Sequence, residues 1–412
     1  MSQSTIAGPT VSDELRTVSR ADRDAALLVR ALKIADEGVR GNAANVDFLG
    51  RFPRESFDAI REAGLLGAYV PVEFGGGGAS VAGIVAIGHV LAQRCASTGM
   101  IYAMHQIQAG CLVHHGQHIP ALRTLLGEVG AEKMLLASAT TEAGIGGDLG
   151  SSTCHVQRLP DGRFRVQKDA PVISYADDAN AVLVTAKRNA DAPSTDQVIA
   201  IGNLGAGTLE RTSTWDALGM RGTCSNGYKL DVTGPADHVM DTPYAEMSAV
   251  SMIPLAHLTW AGVWTGIAAD ALDTARRYLR AQARKSSGQL PAIAADVAQL
   301  FGRYEAVKGT VDHAIATYQA MLDENADHES RLQTAGAPGF SLRMLTLKTI
   351  VSEEVLRIVQ AALNICGLAG YLNTTPFSLG RHLRDANSAP LMVHNERIYA
   401  NSGALLCIYK ES

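Results

Sequence analysis

Residues 137–148, Ala-Ser-Ala-Thr-Thr-Glu-Ala-Gly-Ile-Gly-Gly-Asp, place small and hydroxyl side chains beside a carboxylate. Such side chains leave the peptide groups of Ser138, Thr140 and Thr141 open to a flat ligand. Gly144, Gly146 and Gly147 then permit a turn that larger residues forbid. The spaced Gly-Lys-Ser/Thr of a phosphate loop is absent, so taken alone the stretch reads as an ordinary Gly-rich turn. The weight shifts with what lies downstream: Ile173-Ser174 before a strand, Trp215-Asp-Ala-Leu-Gly-Met-Arg-Gly-Thr-Cys-Ser225 after one, and Arg284-Lys285 at the end of a helix. His114, His115 and His118 have no Cys, Asp or Glu interleaved at ligand spacing and read as a helix end rather than a zinc site. The six cysteines lie far apart, never as Cys-x-x-Cys, and read as thiols of a reducing compartment.

These groups need elements to hold them. From Glu14 to about Gly130 the pattern is helical, with Pro53 expected in a first helical turn and two buried helices at Val81–Cys95 and Met100–Val113. Gly75 to Gly78 read as a bare turn. From Leu136 short β-branched runs take over (Phe164-Arg165-Val166, 181–185, 198–201, 228–232), with a hairpin turn at Pro160-Asp161-Gly162. After Met247 the chain is helical again. Ile293, Val297, Leu300, Tyr304, Val307, Val311, Ile315, Tyr318 and Leu322 form one unbroken stripe, and Met344, Leu347, Val351, Val355, Ile358 and Ala362 a second. The fold class is α+β: an N-terminal α-helical domain at 1–135, a middle β domain at 136–246, and a C-terminal four-helix bundle at 247–412, with exposed apolar remainder pointing to association.

With 412 residues, 47% hydrophobic and 19% charged, the composition is that of a large soluble protein. A net charge of −5 without a basic block argues against nucleic acid. No apolar run approaches the roughly 20 residues of a membrane span. Met1 to Gly8 lack the basic and apolar regions of a secretory signal. The location expected is cytoplasmic.

The ordered set of motifs resembles the acyl-CoA dehydrogenase family of flavoproteins from end to end. Similar to its signatures are Phe52-Pro53-Arg54 through Gly64, Pro71 to Gly76, and Thr141-Glu142-Ala143-Gly144. The resemblance implies FAD as cofactor, with Ser138, Thr140, Thr141 and Ser174 at its ring. Ser174 matches a hydroxyl residue on flavin N5, although the usual preceding Trp is replaced by Val172. It implies Arg284 at the pyrophosphate, despite Ser287 in place of a family phenylalanine. Asn364, Gly367 and Gly370 would reach the adenine end of a neighbouring subunit's cofactor, Asn395 is assigned to the cofactor with them, and Arg384-Asp385 matches the family's Arg-Asp pair. The assembly implied is a homotetramer or homodimer, with an electron acceptor or reductase as partner.

The departures concern the base. The family's common glutamate, eight residues beyond the Arg-Asp aspartate, is Val393 here, and the alternative near Leu255-Ala256-His257 is absent too. Three candidates take its place. His394 adjoins the lost position and imidazole suits proton transfer near neutrality; Glu396 lies three residues on, roughly on the same helix face; His257 could face the cavity from the opposite wall, or be a satisfied core histidine. The preferred reading is an FAD-dependent dehydrogenase of acyl thioesters on coenzyme A or a carrier protein. Gly147, where the family often has serine, points to a non-standard acyl group. The alternative is a flavin monooxygenase using reduced flavin and O2, with His394 and His105 as pocket histidines. A non-catalytic flavin-binding protein is the third reading.

Overall fold

Helices fill both ends of the chain and strands its middle. The structure, a computed structural model, describes residues 17–145, 148–286 and 289–410. Gly146, Gly147 and Ser287 of the motifs above, and the Ser/Thr-rich first residues, lie outside these.

Helix α1 (Arg20–Ile34) starts where the Ser19 hydroxyl accepts from the Asp22 N–H, and runs through a π-helical segment into α2 (Arg40–Leu49). Helix α3 (Arg54–Glu62) has Pro53 as its N-cap, one residue before the first-turn position expected. Helices α4 (Val81–Ala92), α5 (Ala96–His115) and α6 (Pro120–Gly130) follow, the first two almost wholly buried. The Gly75–Gly78 run is a packing device. A Cβ on Gly76 would lie 2.2 Å from the Val70 carbonyl oxygen. The N–H groups of Gly77 and Gly78 are spent on Gly67 and Val70 carbonyls, so none is left for an anion.

Seven strands build two sheets, β1 (Leu136–Ala139), β2 (Gln157–Arg158), β3 (Arg163–Ile173), β4 (Ala181–Lys187), β5 (Gln197–Asn203), β6 (Thr208–Ser213) and β7 (Asn226–Pro235). One has the order β1-β4-β5, with β1 parallel to β4, and the other β2-β3-β7-β6, all antiparallel. The expected hairpin turn joins β2 to β3, and its Gly162 holds φ +80°. Along β3, Phe164, Val166, Lys168 and Ala170 alternate into the interior.

The rest is α7 (Tyr244–Met247), α8 (Ile253–Lys285), α9 (Ala294–Glu324), α10 (His328–Gly336), α11 (Pro338–Cys366), α12 (Leu368–Tyr371), α13 (Gly380–Ala386) and α14 (Asn395–Leu406). Helix α8 is the spine: it packs on α9 and α11 of the bundle and also on α4 and α5. The stripe on α9 buries Val297, Leu300, Val307, Val311 and Tyr318, with Tyr304, Ile315 and Leu322 half-buried beside them. Helix α14, the short fourth member, buries only Ile398 and the polar Asn395. No described helix is long and apolar enough to cross a membrane.

Candidate functional site

Strand β1 begins on a histidine. His105 is fully buried on α5; its Nδ1 accepts from the Leu136 N–H at 3.1 Å, and its Nε2 donates to the Leu66 carbonyl at 3.0 Å. Burial pushes its pKa down to about 4, so the ring is neutral and both nitrogens are used. The expectation that His105 lines a ligand pocket is therefore corrected. It fixes the start of the strand that presents Ser138, Thr140 and Thr141.

The far end of that strand rests on a buried ion pair. Glu142 accepts from the Ser152 hydroxyl at 2.6 Å and from the N–H groups of Thr153 and Cys154 at 3.0 and 2.9 Å. Lys168 Nζ stands 3.7 Å from its carboxylate and donates to Ala139 O, Thr185 O and Thr185 Oγ1 at 3.1, 2.8 and 2.9 Å. Burial alone raises the carboxyl, but these donors and the lysine outweigh it and hold Glu142 below the usual carboxylate range. Thr141 is turned to the neighbouring strand, its hydroxyl donating to Val172 O at 3.0 Å.

Ser174 follows a bulge. Ala170 pairs with Tyr228 and Ile173 with Asn226, so Pro171 and Val172 oppose Gly227 alone. The Ser174 hydroxyl meets that of Ser225 at 2.8 Å, Ser225 meets Thr223 at 2.8 Å, and Thr223 donates to Met220 O at 2.8 Å. A carbonyl can only accept, and each hydroxyl has one proton. Thr223 must therefore accept from Ser225, and Ser225 from Ser174. The relay leaves Ser174 with lone pairs rather than a proton to offer a ligand.

The loop carrying this relay is held from two other parts of the chain. Arg384 pairs with Asp47 of α2, and buried Asp385 accepts from the Met220 N–H at 2.7 Å. Arg221 Nε donates to the Asp47 carbonyl at 2.8 Å. A Cβ on Gly219 would lie 2.1 Å from Arg384 O, so only glycine admits this contact. The Arg-Asp pair is thus a three-way lock between α13, α2 and this loop.

The start of α14 faces the loop after β1 in charge: Asp148 is lowered by the Gly150 N–H and Ser151, and further by Arg397. Val393, in the lost glutamate's place, is part-exposed and holds φ +47°, unusual for a β-branched residue. His394 is the exposed N-cap residue and Glu396 is exposed in the first turn. Asn395, expected on the cofactor, instead points inward. Its Oδ1 accepts from Lys348 Nζ at 2.6 Å and its Nδ2 donates to Ser352 Oγ at 3.1 Å and Glu353 Oε1 at 3.2 Å. His257 is buried, Nδ1 donating to Met344 O at 2.9 Å, and burial takes its pKa to about 4. Its surroundings are those of a core histidine.

The remaining assignments sit at the other ends of the bundle helices. Arg284 is exposed in the last turn of α8, and Asn364 is exposed near the end of α11, its Oδ1 accepting from Gln360 at 3.1 Å. Gly367 ends α11 at φ +55°, and Gly370 lies where a Cβ would come within 2.8 Å of Cys366 Cβ. Among the described residues no hydrogen bond or ion pair ties Arg284 or Asn364 to β1 or α14. His114, His115 and His118 bond separately to Tyr69, Ser251 and Asp241, and no described group of His, Cys, Asp or Glu is arranged to hold a metal. Sequence reasoning missed Lys168 and Lys348. Each is a lysine in phase with an apolar face, and that mismatch was the available signal.

Comparison with known proteins gives this geometry a family. The acyl-CoA dehydrogenase N-terminal domain matches residues 22–119 and the C-terminal domain residues 248–392. An L-evernosamine nitrososynthase of Micromonospora sp. is 27% identical over 86% of this chain and 83% of its own. A probable acyl-CoA dehydrogenase of Bacillus subtilis is 26% identical over 85% and 89%. The FMN-bound structure of the dibenzothiophene monooxygenase TdsC from Paenibacillus sp. A11-2 superposes with a TM-score of 0.80 at 20% identity, over 94% of this chain and 98% of that one. The chain belongs to the acyl-CoA dehydrogenase family, whose members are oxidoreductases.

Proposed function

We propose that this chain is a flavin-dependent monooxygenase that oxygenates a heteroatom of a small organic substrate, taking reduced flavin from a partner reductase. The observation that carries this reading is the start of α14. Where the family's base would stand there is Val393, followed by an exposed histidine, while the candidate carboxylate Glu396 is exposed in the first turn of α14. The family's carboxylate base is missing from this position, and the site offers an imidazole in its place.

The residues fit a flavin. The bare edge of β1, with Ser138, Thr140 and Thr141 half-buried along it, suits the ring. The Ser174 relay bears on the redox state: a hydroxyl whose proton is committed inward offers an acceptor, and that matches the N5–H of reduced flavin better than the bare N5 of oxidised flavin. Bound reduced flavin would supply the two electrons that split O2, one oxygen atom going to the substrate and the other to water. His394 would hold and deliver the proton that this water needs. The Glu142–Lys168 pair and His105 keep β1 in place, and the Arg384–Asp47 lock keeps the relay in place.

A second reading stands on Arg284 and Asn364, both exposed and free to meet a long cofactor from this or another copy. It is an FAD-dependent dehydrogenase introducing an α,β double bond into an acyl thioester, with Glu396 as base. The test is incorporation of label from 18O2 into a panel of amino sugars and sulfur or nitrogen heterocycles, with reduced FMN or FAD supplied by a reductase. Label in a product supports the monooxygenase. Label in none of them, with α,β-unsaturated product from a thioester, supports the dehydrogenase.

A further inference from the structure

Lys348 is a lysine with no solvent exposure in the middle of α11, on the face that otherwise carries Met344, Leu347, Val351 and Val355. Its Nζ donates to Asn395 Oδ1 at 2.6 Å and to Val393 O at 3.4 Å. These two residues flank His394. The ammonium lies 5.9 Å from the ring centre of Trp264, whose own buried indole N–H has no partner.

Stability does not explain this arrangement. A buried cation is costly unless paired, and the N-terminus of a helix such as α14 carries partial positive charge that repels one. The charged and titratable groups around it are His257 on α8, Glu353 on its own helix and Tyr399 on α14, whose hydroxyl donates to Glu353 at 2.5 Å. Glu353 reaches Asn395 and Tyr399, and no ion pair joins it to Lys348. What the ammonium does hold is the Val393 carbonyl on one side of His394 and the Asn395 side-chain amide on the other, where Val393 carries φ +47°.

We infer that Lys348 is a positioning residue for His394: it grips Val393 and Asn395 and so fixes where the imidazole at the N-cap of α14 points. The inference rests on the proposed role of His394 in oxygenation. Burial lowers the lysine to about 8, with Glu353 opposing in part, so the grip weakens when the ammonium loses its proton just above neutrality.

The test uses the full chain with histidine-selective 13C labelling. The His394 ring signal is assigned by its disappearance in His394→Ala and followed from pH 6 to 10. The expected result is an inflection near pH 8 besides the ring's own titration, absent in Lys348→Met and Lys348→Arg. A His394 signal that titrates identically in wild type and Lys348→Met overturns the inference. Turnover supplies a second arm: Lys348→Met lowers coupled oxygenation by about tenfold, but lowers it by less than about twofold further in a His394→Ala background, as expected for residues that act as a unit. Losses that multiply independently overturn it. If Lys348→Met does not fold, Lys348→Gln takes its place in both arms. Should no substrate be oxygenated, the reading of the reaction falls while the ring titration still decides on Lys348. Oxygenation with an indifferent ring signal removes the positioning role alone.

Discussion

A buried lysine lies beneath each wall of the proposed site, and the two are supported differently. Under β1, Lys168 meets three oxygen acceptors with the Glu142 carboxylate 3.7 Å away. Under α14, Lys348 meets an amide oxygen and a backbone carbonyl, with no carboxylate paired to it. Burial lowers the pKa of the first lysine too, but the Glu142 carboxylate opposes it and each charge is answered by the other. The second is a strut whose charge is poorly compensated, so protons and nearby groups can adjust it. In the proposed site, the wall assigned to flavin binding is built to stay still, and the wall assigned to proton transfer rests on a residue able to titrate.

That contrast is broken most directly by removing each lysine. Lys168→Met leaves the Glu142 carboxylate buried without its counter-charge and should cost about 3–5 kcal/mol of unfolding free energy. Lys348→Met removes a charge that burial disfavours and should change stability by less than about 1 kcal/mol, or raise it. Urea denaturation of both variants checks this. Equal losses would erase the distinction between the walls.

The pH dependence sharpens it. The folded pKa of Lys348, about 8, lies below its ordinary value of 10.5, so between these pH values the unfolded chain binds more protons than the folded one. Stability should therefore rise with pH through that window, by on the order of 2–3 kcal/mol in all. Denaturation midpoints between pH 7.5 and 10 should show the rise in wild type and a flatter profile in Lys348→Met.

His105→Ala should cost about 1–3 kcal/mol by leaving the buried Leu136 N–H without its acceptor, while the Leu66 carbonyl keeps its bond from Gln106 at 2.8 Å, and should weaken flavin binding measured by fluorescence. If His105 instead touched substrate, the same change would alter turnover and leave stability unmoved. The smallest effect expected is that of Glu396→Gln on oxygenation, under about twofold, since an exposed carboxylate is weakly coupled to its surroundings. A fall of tenfold or more would return Glu396 to the role of base.

Much of the architecture was legible because periodicity reports burial. The α9 stripe and the Phe164-to-Ala170 alternation each translate into a buried face, and Pro160-Asp161-Gly162 makes its turn at φ +80°. The site was less legible because spacing along the chain does not say which way a side chain points. His105 and Asn395 carry chemically apt groups, but their hydrogen bonds run inward. The lock between Arg384 and Asp47 joins residues 337 apart in sequence, beyond the reach of any local pattern. Lys168 and Lys348 were visible as misfits, yet only the fold shows that one sits by a carboxylate and the other does not.

The central claim is that the site works from reduced flavin and oxygen rather than from an acyl α-proton. Its most direct test is the visible spectrum of the flavin-loaded protein, recorded anaerobically while saturated acyl thioesters on coenzyme A and on a carrier protein are added. The account predicts an unchanged oxidised-flavin spectrum with every thioester, and rapid reoxidation when the chemically reduced protein meets oxygen. Bleaching of the bound flavin by any one of the thioesters would contradict it.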